Sequence, residues 1–219
     1  MATPLVVDYY SDILCIWAWI AQRRIEELNT KLQDRIEIRH HFVDVFGDVA
    51  AKMDAQWQSR GGYAGFAEHV RESASAFEYA SVNEKVWREV KPLTSANAHL
   101  MLKAVEIAYG RQAQIDMALA IRIAFFVEAL DVGNLNVLLD LAAMKALDAN
   151  RIRDAIGNGS AIAALMKDYQ ESKQNSIKGS PSYVLDGGRQ TLYGNVGYRV
   201  LLANIEELLK SPQNEASWC

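Results

Sequence analysis

The sequence predicts an α/β chain that runs βαβ, then a long all-helical block, then ββα. Three observations predict it. Over the first 45 residues the hydrophobic spacing changes from strand to helix and back. From about residue 49 to 172 helical spacing prevails with almost no strand signal. After Lys178 strand chemistry returns, and a helix closes the chain.

Each element has its own reason. Leu5 to Tyr10 is a short apolar and aromatic run, of the length and type of a buried strand. From Trp17 the spacing changes: Trp17, Ala21, Ile25, Leu28 and Leu32 recur at helical intervals, while Arg23, Arg24, Glu26 and Glu27 take the other face. Between Arg35 and Val45, Ile36, Ile38, His40 and Phe42 alternate with Glu37, Arg39 and His41, which is strand-like and implies parallel pairing with the first strand. In the middle block Met101, Leu102, Val105 and Tyr109 make one helical stripe, and Ile115, Leu119, Ile123, Phe126 and Leu130 a second. Asp131-Val-Gly-Asn is a stop, after which Leu135, Leu138, Leu139 and Ala142 resume. Gly157-Asn-Gly closes a short helix, and Ile162, Leu165, Met166 and Tyr169 carry the last one. The segment Ala51 to Asn83 is less regular and is broken at Gly61-Gly62. Two short runs, Tyr183 to Leu185 and Gln190 to Tyr193, flank Asp186-Gly187-Gly188 as a β-hairpin would. Val200, Leu201, Ile205, Leu208 and Leu209 form the closing helix, with Pro212 just beyond. The expected domains are therefore residues 1–48 with 173–212, a helical insertion over 49–172, and a tail over 213–219.

Bulk properties narrow the function. Half of the 219 residues are hydrophobic, enough for a sizeable core. The 23 basic and 27 acidic residues are well mixed, with no nucleic-acid footprint, and no window is apolar for long enough to span a membrane. The N-terminal residues MATPLVVDYY carry no secretory pattern, so a cytoplasmic protein is expected. Two cysteines, Cys15 and Cys219, make no disulfide framework. The four histidines show no metal-ligand spacing, and His40 and His41 fall on opposite strand faces, so no metal is expected.

Chemistry concentrates in "YYSDILCIWAWIAQRRIEEL". Cys15 ends the first strand region and opens the first helix, where the helix dipole and unpaired backbone N–H groups favour a thiolate. Asp12, three residues upstream, opposes ionisation if it faces the sulfur and can instead cap the helix. A small buried hydrophobe is the other reading of Cys15. Ser180-Pro181-Ser182 stands where the chain re-enters the sheet. A cis peptide there would leave neighbouring backbone groups free for a ligand, and an ordinary trans proline opening a strand is the alternative.

In order, the phrases "SDILCIWAWIAQRRIEEL", "ANAHLMLKAVEIA", "IAFFVEALDVGNLNVLLDLA" and "SIKGSPSYVLDGGRQTLYG" resemble the DsbA-like branch of the thioredoxin fold. More closely they resemble FrnE-type oxidoreductases and their relatives, the 2-hydroxychromene-2-carboxylate isomerases and kappa-class glutathione transferases. The resemblance covers nearly the whole chain. It implies a thioredoxin fold with a large helical insertion, Cys15 as the attacking cysteine, and Pro181 as the cis-proline facing it. Ser11, Asp12, Ile16, Trp17, Ala18 and Ser180 complete the expected thiol-binding set. FrnE-type members usually carry Cys-Pro-Trp-Cys; here the motif is Cys15-Ile16-Trp17-Ala18. Without a second thiol at Ala18, a mixed disulfide on Cys15 cannot be resolved within the motif.

Three functions follow from this reading. The first is thiol–disulfide exchange by a monothiol route, with an external thiol such as glutathione resolving the adduct and a disulfide-containing protein or small disulfide as substrate. The second is a glutathione-dependent transferase or isomerase, with Ser180 and Pro181 presenting backbone groups to the tripeptide and Trp57, Phe66, Phe77 and Trp87 shaping an apolar pocket. The third is a binding protein without chemistry. No tightly bound cofactor is expected; glutathione is the candidate co-substrate, and the resemblance allows a homodimer.

Overall fold

The computed structural model describes residues 3–210. Cys219, the tail over 213–219 and Pro212 lie outside the described residues. In chain order the elements are β1 (Leu5–Ser11), α1 (Ile16–Leu32), β2 (Ile36–Phe42), α2 (Val49–Gln56), α3 (Gly62–Ser75), α4 (Ala96–Tyr109), α5 (Arg111–Phe126), α6 (Leu135–Met144), α7 (Ala149–Gly157), α8 (Ser160–Gln174), β3 (Ser182–Leu185), β4 (Gln190–Tyr193) and α9 (Tyr198–Leu209).

The four strands form one mixed sheet in the order β2-β1-β3-β4. β1 and β2 run parallel, with Leu5 opposite Ile36 and Ser11 opposite Phe42. β3 lies antiparallel to β1, with Val7 opposite Leu185, and the expected hairpin pairs β3 with β4. Alternation along the strands sends Val7, Tyr9, Ile36, Ile38, Tyr183 and Leu185 to one face. There they pack on Ile25, Leu28 and Leu32 of α1 and on Leu201, Ile205 and Leu208 of α9.

Caps account for several helix starts. Asp48 accepts from the Ala51 N–H at 3.0 Å, Asn134 from Asn136 and Asp148 from Asn150. The break at Gly61-Gly62 has a steric cause. Both residues take positive φ, and a Cβ built on Gly65 would stand 1.8 Å from the Arg60 carbonyl oxygen. α4 packs against α5, α7 and α8, and α8 meets β2.

Several expectations change here. Trp17, placed on the buried stripe of α1, is half-buried, whereas Trp19 is buried and stacked on Phe126. Arg24, placed on the solvent face, is buried and donates to Asn195 Oδ1 and to the Val196 carbonyl. Helix α5 ends at Phe126, and its buried residues are Gln114, Met117, Ala118, Ile121, Arg122, Ala124, Phe125 and Phe126, so of the expected stripe from Ile115 to Leu130 only Phe126 is fully buried. Ile162 and Met166 are exposed on α8. Trp57, Phe66 and Trp87, expected to shape an apolar pocket, are all buried. They pack ring against ring in the interior of the insertion, with Phe77 half-buried at its margin.

Candidate active site

The loop from Asp12 to Cys15 leaves the C-terminal end of β1, and Cys15 is the N-cap of α1 with extended backbone (φ −79°, ψ 120°). Its side chain contributes no capping hydrogen bond, which leaves the sulfur free to face another partner. That partner comes from the far end of the chain. Cys15 Sγ donates to the Ser180 carbonyl oxygen at 3.2 Å, and the Asp12 N–H donates to Ser180 Oγ at 2.9 Å. The Ser180–Pro181 peptide bond is cis, and Pro181 is buried.

Cys15 is only 6% exposed, and burial pushes its thiol above the ordinary range. The Ser180 hydroxyl and the Ala18 and Trp17 N–H groups at the helix start oppose that push, and the Asp12 carboxylate adds to it. Burial thus opposes the thiolate that the helix terminus favours.

Asp12 neither faces solvent nor caps α1. It is fully buried, and its carboxylate accepts from the Leu14 N–H at 2.9 Å, the Phe46 N–H at 2.8 Å and Ser95 Oγ at 2.8 Å. Burial raises its carboxyl to about 6 against those three donors. His99 of α4 is also fully buried. The Ile13 N–H donates to its Nε2 at 3.1 Å, so Nδ1 carries the proton and donates to Tyr169 Oη, also at 3.1 Å. Burial, reinforced by Arg122 and Lys103, holds His99 down to about 3, so the ring is neutral. The helical insertion thus grips the cysteine loop through Ser95, His99 and Tyr169, none of which the sequence reading placed there. A histidine inside the apolar α4 stripe was the available signal.

The structure brings Cys15, Ile16, Ala18, Ser180 and Pro181 together as a buried group, with Trp17 half-buried beside them. Ser11 and Asp12, expected to meet substrate, face the interior instead. Ser11 Oγ accepts from Arg122 Nη2 at 3.1 Å, and Asp12 is engaged as described. The Ala18 methyl is buried where a second thiol would stand in a dithiol motif. A cavity of about 610 Å³ lined by Leu5, Arg39, Asp186 and Leu208 lies at the other end of β1.

His41, Asp168 and Glu171 each place one ligand atom within 4.8 Å of the others, a grouping that can hold a metal. Its charges are already balanced within the protein. His41 is shared by Asp8 (2.9 Å) and Asp168 (3.2 Å), and the Lys103 ammonium sits 2.8 Å from Asp168.

Known proteins agree with this architecture. The ClpXP adapter protein SpxH of Halalkalibacterium halodurans is 24% identical over 216 residues, covering 94% of this chain and 68% of that protein. A Nitrosomonas europaea structure provisionally described as a protein disulfide isomerase superposes with a TM-score of 0.80 at 18% identity, over 96% of this chain and all of that one. The cytosolic disulfide reductase DsbM of Pseudomonas aeruginosa, also solved with GSH, gives 0.69 at 19% identity over 93% of this chain and all of that one. A 2-hydroxychromene-2-carboxylate isomerase gives 0.66 at 14% identity, over 94% and 97%. Among the described residues no helix is long and apolar enough to cross a membrane. The model of the DSBA-like thioredoxin domain matches residues 6–206, and the chain belongs to that family.

Proposed function

We propose that this chain catalyses thiol–disulfide exchange through Cys15 alone, with a small thiol such as glutathione as the resolving partner. The observation that carries the reading is the 3.2 Å approach of Cys15 Sγ to the Ser180 carbonyl, at a helix start with backbone N–H groups beside the sulfur and alanine at position 18. The Cys15 thiolate attacks a disulfide R–S–S–R′, forms Cys15–S–S–R and releases R′–S⁻, which takes up the proton Cys15 gave up. A glutathione thiolate then attacks the R sulfur, releases the glutathione–R disulfide and restores the Cys15 thiolate. Substrates are disulfide-containing proteins or small disulfides.

A second reading is favoured by one observation, the burial of Cys15, which pushes its thiol upward. In a glutathione-dependent isomerase or transferase, glutathione supplies the nucleophilic sulfur and a Cys15 S–H steadies it as donor. Cys15→Ser on a Cys219→Ser background separates the two. Exchange activity and the glutathione adduct seen by intact mass should both vanish if Cys15 is the nucleophile. Full retention of exchange overturns the first reading, and glutathione transfer surviving the substitution supports the second. Wild-type protein with neither adduct nor transfer would be a binding protein.

A further inference from the structure

Three neighbouring strands set His40, Tyr9 and Tyr183 side by side, because Tyr9 pairs with His40 on β2 and with Tyr183 on β3. All three side chains are buried, and the Tyr9 ring stands 5.2 Å from each of the other two. The Tyr9 and Tyr183 hydroxyls and both His40 ring nitrogens have no hydrogen-bond partner within the protein. Two residues further along the same face of β1, Ser11 Oγ accepts from Arg122 Nη2 at 3.1 Å. Arg122 reaches it from α5 and is itself fully buried. Its Nη1 donates to Gln22 Oε1 at 2.8 Å, and its Nε is unpartnered like the hydroxyls. The Tyr9 hydroxyl faces Ser11, so the tyrosine row and the guanidinium meet at that residue.

Polar groups at this depth are nearly always paired, and a buried guanidinium without a counter-ion is costly. Both acceptors of Arg122 are neutral, and among the described residues no carboxylate pairs with it. The Asp12 oxygens are taken by Leu14, Phe46 and Ser95. Burial keeps Tyr9 and Tyr183 protonated and His40 neutral, so none of them supplies a negative charge, and each hydroxyl keeps a hydrogen to donate. One fixed positive charge ringed by neutral donors is the complement of a small anion. A route from the surface ends at the same place. A cavity of about 270 Å³ is lined by Trp19, Gln22, Arg23 and Tyr79. Gln22 holds Arg122 through Oε1, and its Nε2 donates to Glu26 Oε1 at 3.0 Å. The Gln22 side chain therefore stands between the cavity and the guanidinium.

The geometry points to a buried site for a monovalent anion of halide size, held by Arg122 Nε–H and the Tyr9 and Tyr183 hydroxyls between β1, β3 and α5, with Gln22 as its door. A single guanidinium sets the single charge, since Arg24 is engaged by Asn195 and Val196. Complete burial of the Arg122, Tyr9 and Tyr183 side chains sets the small size. The site joins the helical insertion to the sheet. Its occupancy is therefore linked to folding: an anion bound by the folded chain alone lowers the unfolding constant by the factor 1 + [L]/Kd.

The test uses the full chain, with bromide and chloride as probes. Crystals grown in sodium bromide should show an anomalous peak within hydrogen-bond reach of Arg122 Nε and a tyrosine hydroxyl. At constant ionic strength, replacing gluconate by about 0.5 M chloride should lower the wild-type unfolding constant roughly tenfold, as for a Kd of about 50 mM. Arg122→Met should flatten that dependence, and so should Tyr9→Phe combined with Tyr183→Phe, which keeps both rings. Should Arg122→Met fail to fold, the tyrosine pair decides. Water at the site in place of bromide, or bromide bound only elsewhere, would overturn the proposal. So would a peak at the site with stability indifferent to chloride, an adventitious ion only, or a chloride dependence undiminished in the tyrosine variant. None of these readouts depends on Cys15, so loss of the exchange activity leaves the anion site standing.

Discussion

Replacing Asp12 by asparagine isolates the energetic consequence of burying a carboxylate beneath the cysteine loop. In the folded protein this group titrates at about 6, against 3.8 ordinarily. Between those values the native state holds a proton that the unfolded chain has released, so stability falls as pH rises through that window and levels off above about 6. A difference of about two units corresponds to ~3 kcal/mol. Asparagine cannot ionise, so this fall should be missing from its profile. The substitution has an offsetting cost at every pH. One amide oxygen replaces two carboxylate oxygens facing the donors of Leu14, Phe46 and Ser95, and an unmatched donor costs roughly 1–3 kcal/mol. Wild type should therefore be the more stable protein at pH 4, and the two curves should draw together by pH 7. Guanidinium unfolding at half-unit pH intervals measures both curves, and the other titrating groups cancel in the difference. Parallel curves from pH 4 to 7 would refute the reasoning. The same variant should show a lower alkylation midpoint for Cys15, because the Asp12 charge pushes that thiol upward.

Other substitutions probe the supports of the site. His99→Leu strips the Ile13 N–H of its acceptor and Tyr169 of a donor, and should cost about 2–4 kcal/mol by chemical denaturation; His99→Gln, which keeps an acceptor, should cost less. His41 is raised to about 9 between Asp8 and Asp168. Its contribution is complete below its unfolded value of 6.5 and is lost as pH rises through 9. His41→Gln should accordingly remove most of the drop in melting temperature that wild type shows between pH 6.5 and 9.5. Gly65→Ala forces a methyl onto the Arg60 carbonyl and should cost about 2–4 kcal/mol by the same unfolding assay.

The sheet and most helices were legible because their burial follows simple periods. Ile36, Ile38, His40 and Phe42 alternate as half-buried strands do, and the hairpin announces itself in Asp186-Gly187-Gly188. Helix α5 misled for a specific reason. Its buried stripe includes Gln114 and Arg122, and a search for apolar spacing passes over polar residues that are buried. Trp17 was placed on the buried stripe on similar grounds. Two tryptophans two positions apart on a helix point in different directions, and apolarity does not rank them; the stacking partner Phe126 and the acceptor on Ser81 decide for Trp19. Within the site, the local settings of Cys15 and Pro181 left two readings each, and the cis peptide at Pro181 followed from the resemblance. Phe46, Ser95 and His99 were not legible, because they reach the loop from more than 30 residues away in the chain, and Tyr169 acts only through His99. The ionisation of Cys15 stayed open in the sequence because the helix terminus is visible there and the depth of burial is not.

The strand order carries a consequence for how the chain emerges during synthesis. β1 is central, and its second neighbour is β3, which begins only at Ser182. Until that strand leaves the ribosome, β1 and β2 pair with one long edge of β1 uncovered, and the Cys15 sulfur lacks the Ser180 carbonyl that receives it. Loop-closure entropy grows only slowly with length, so joining such distant strands is thermodynamically modest. The exposure is a matter of time: some 140 residues must be made between the end of β2 and the start of β3, which at ~5–20 residues per second is roughly 7–30 s. During that interval the nascent protein carries an open strand edge and a thiol not yet enclosed. The same topology that buries Cys15 last leaves it most available to oxidants before the chain is complete.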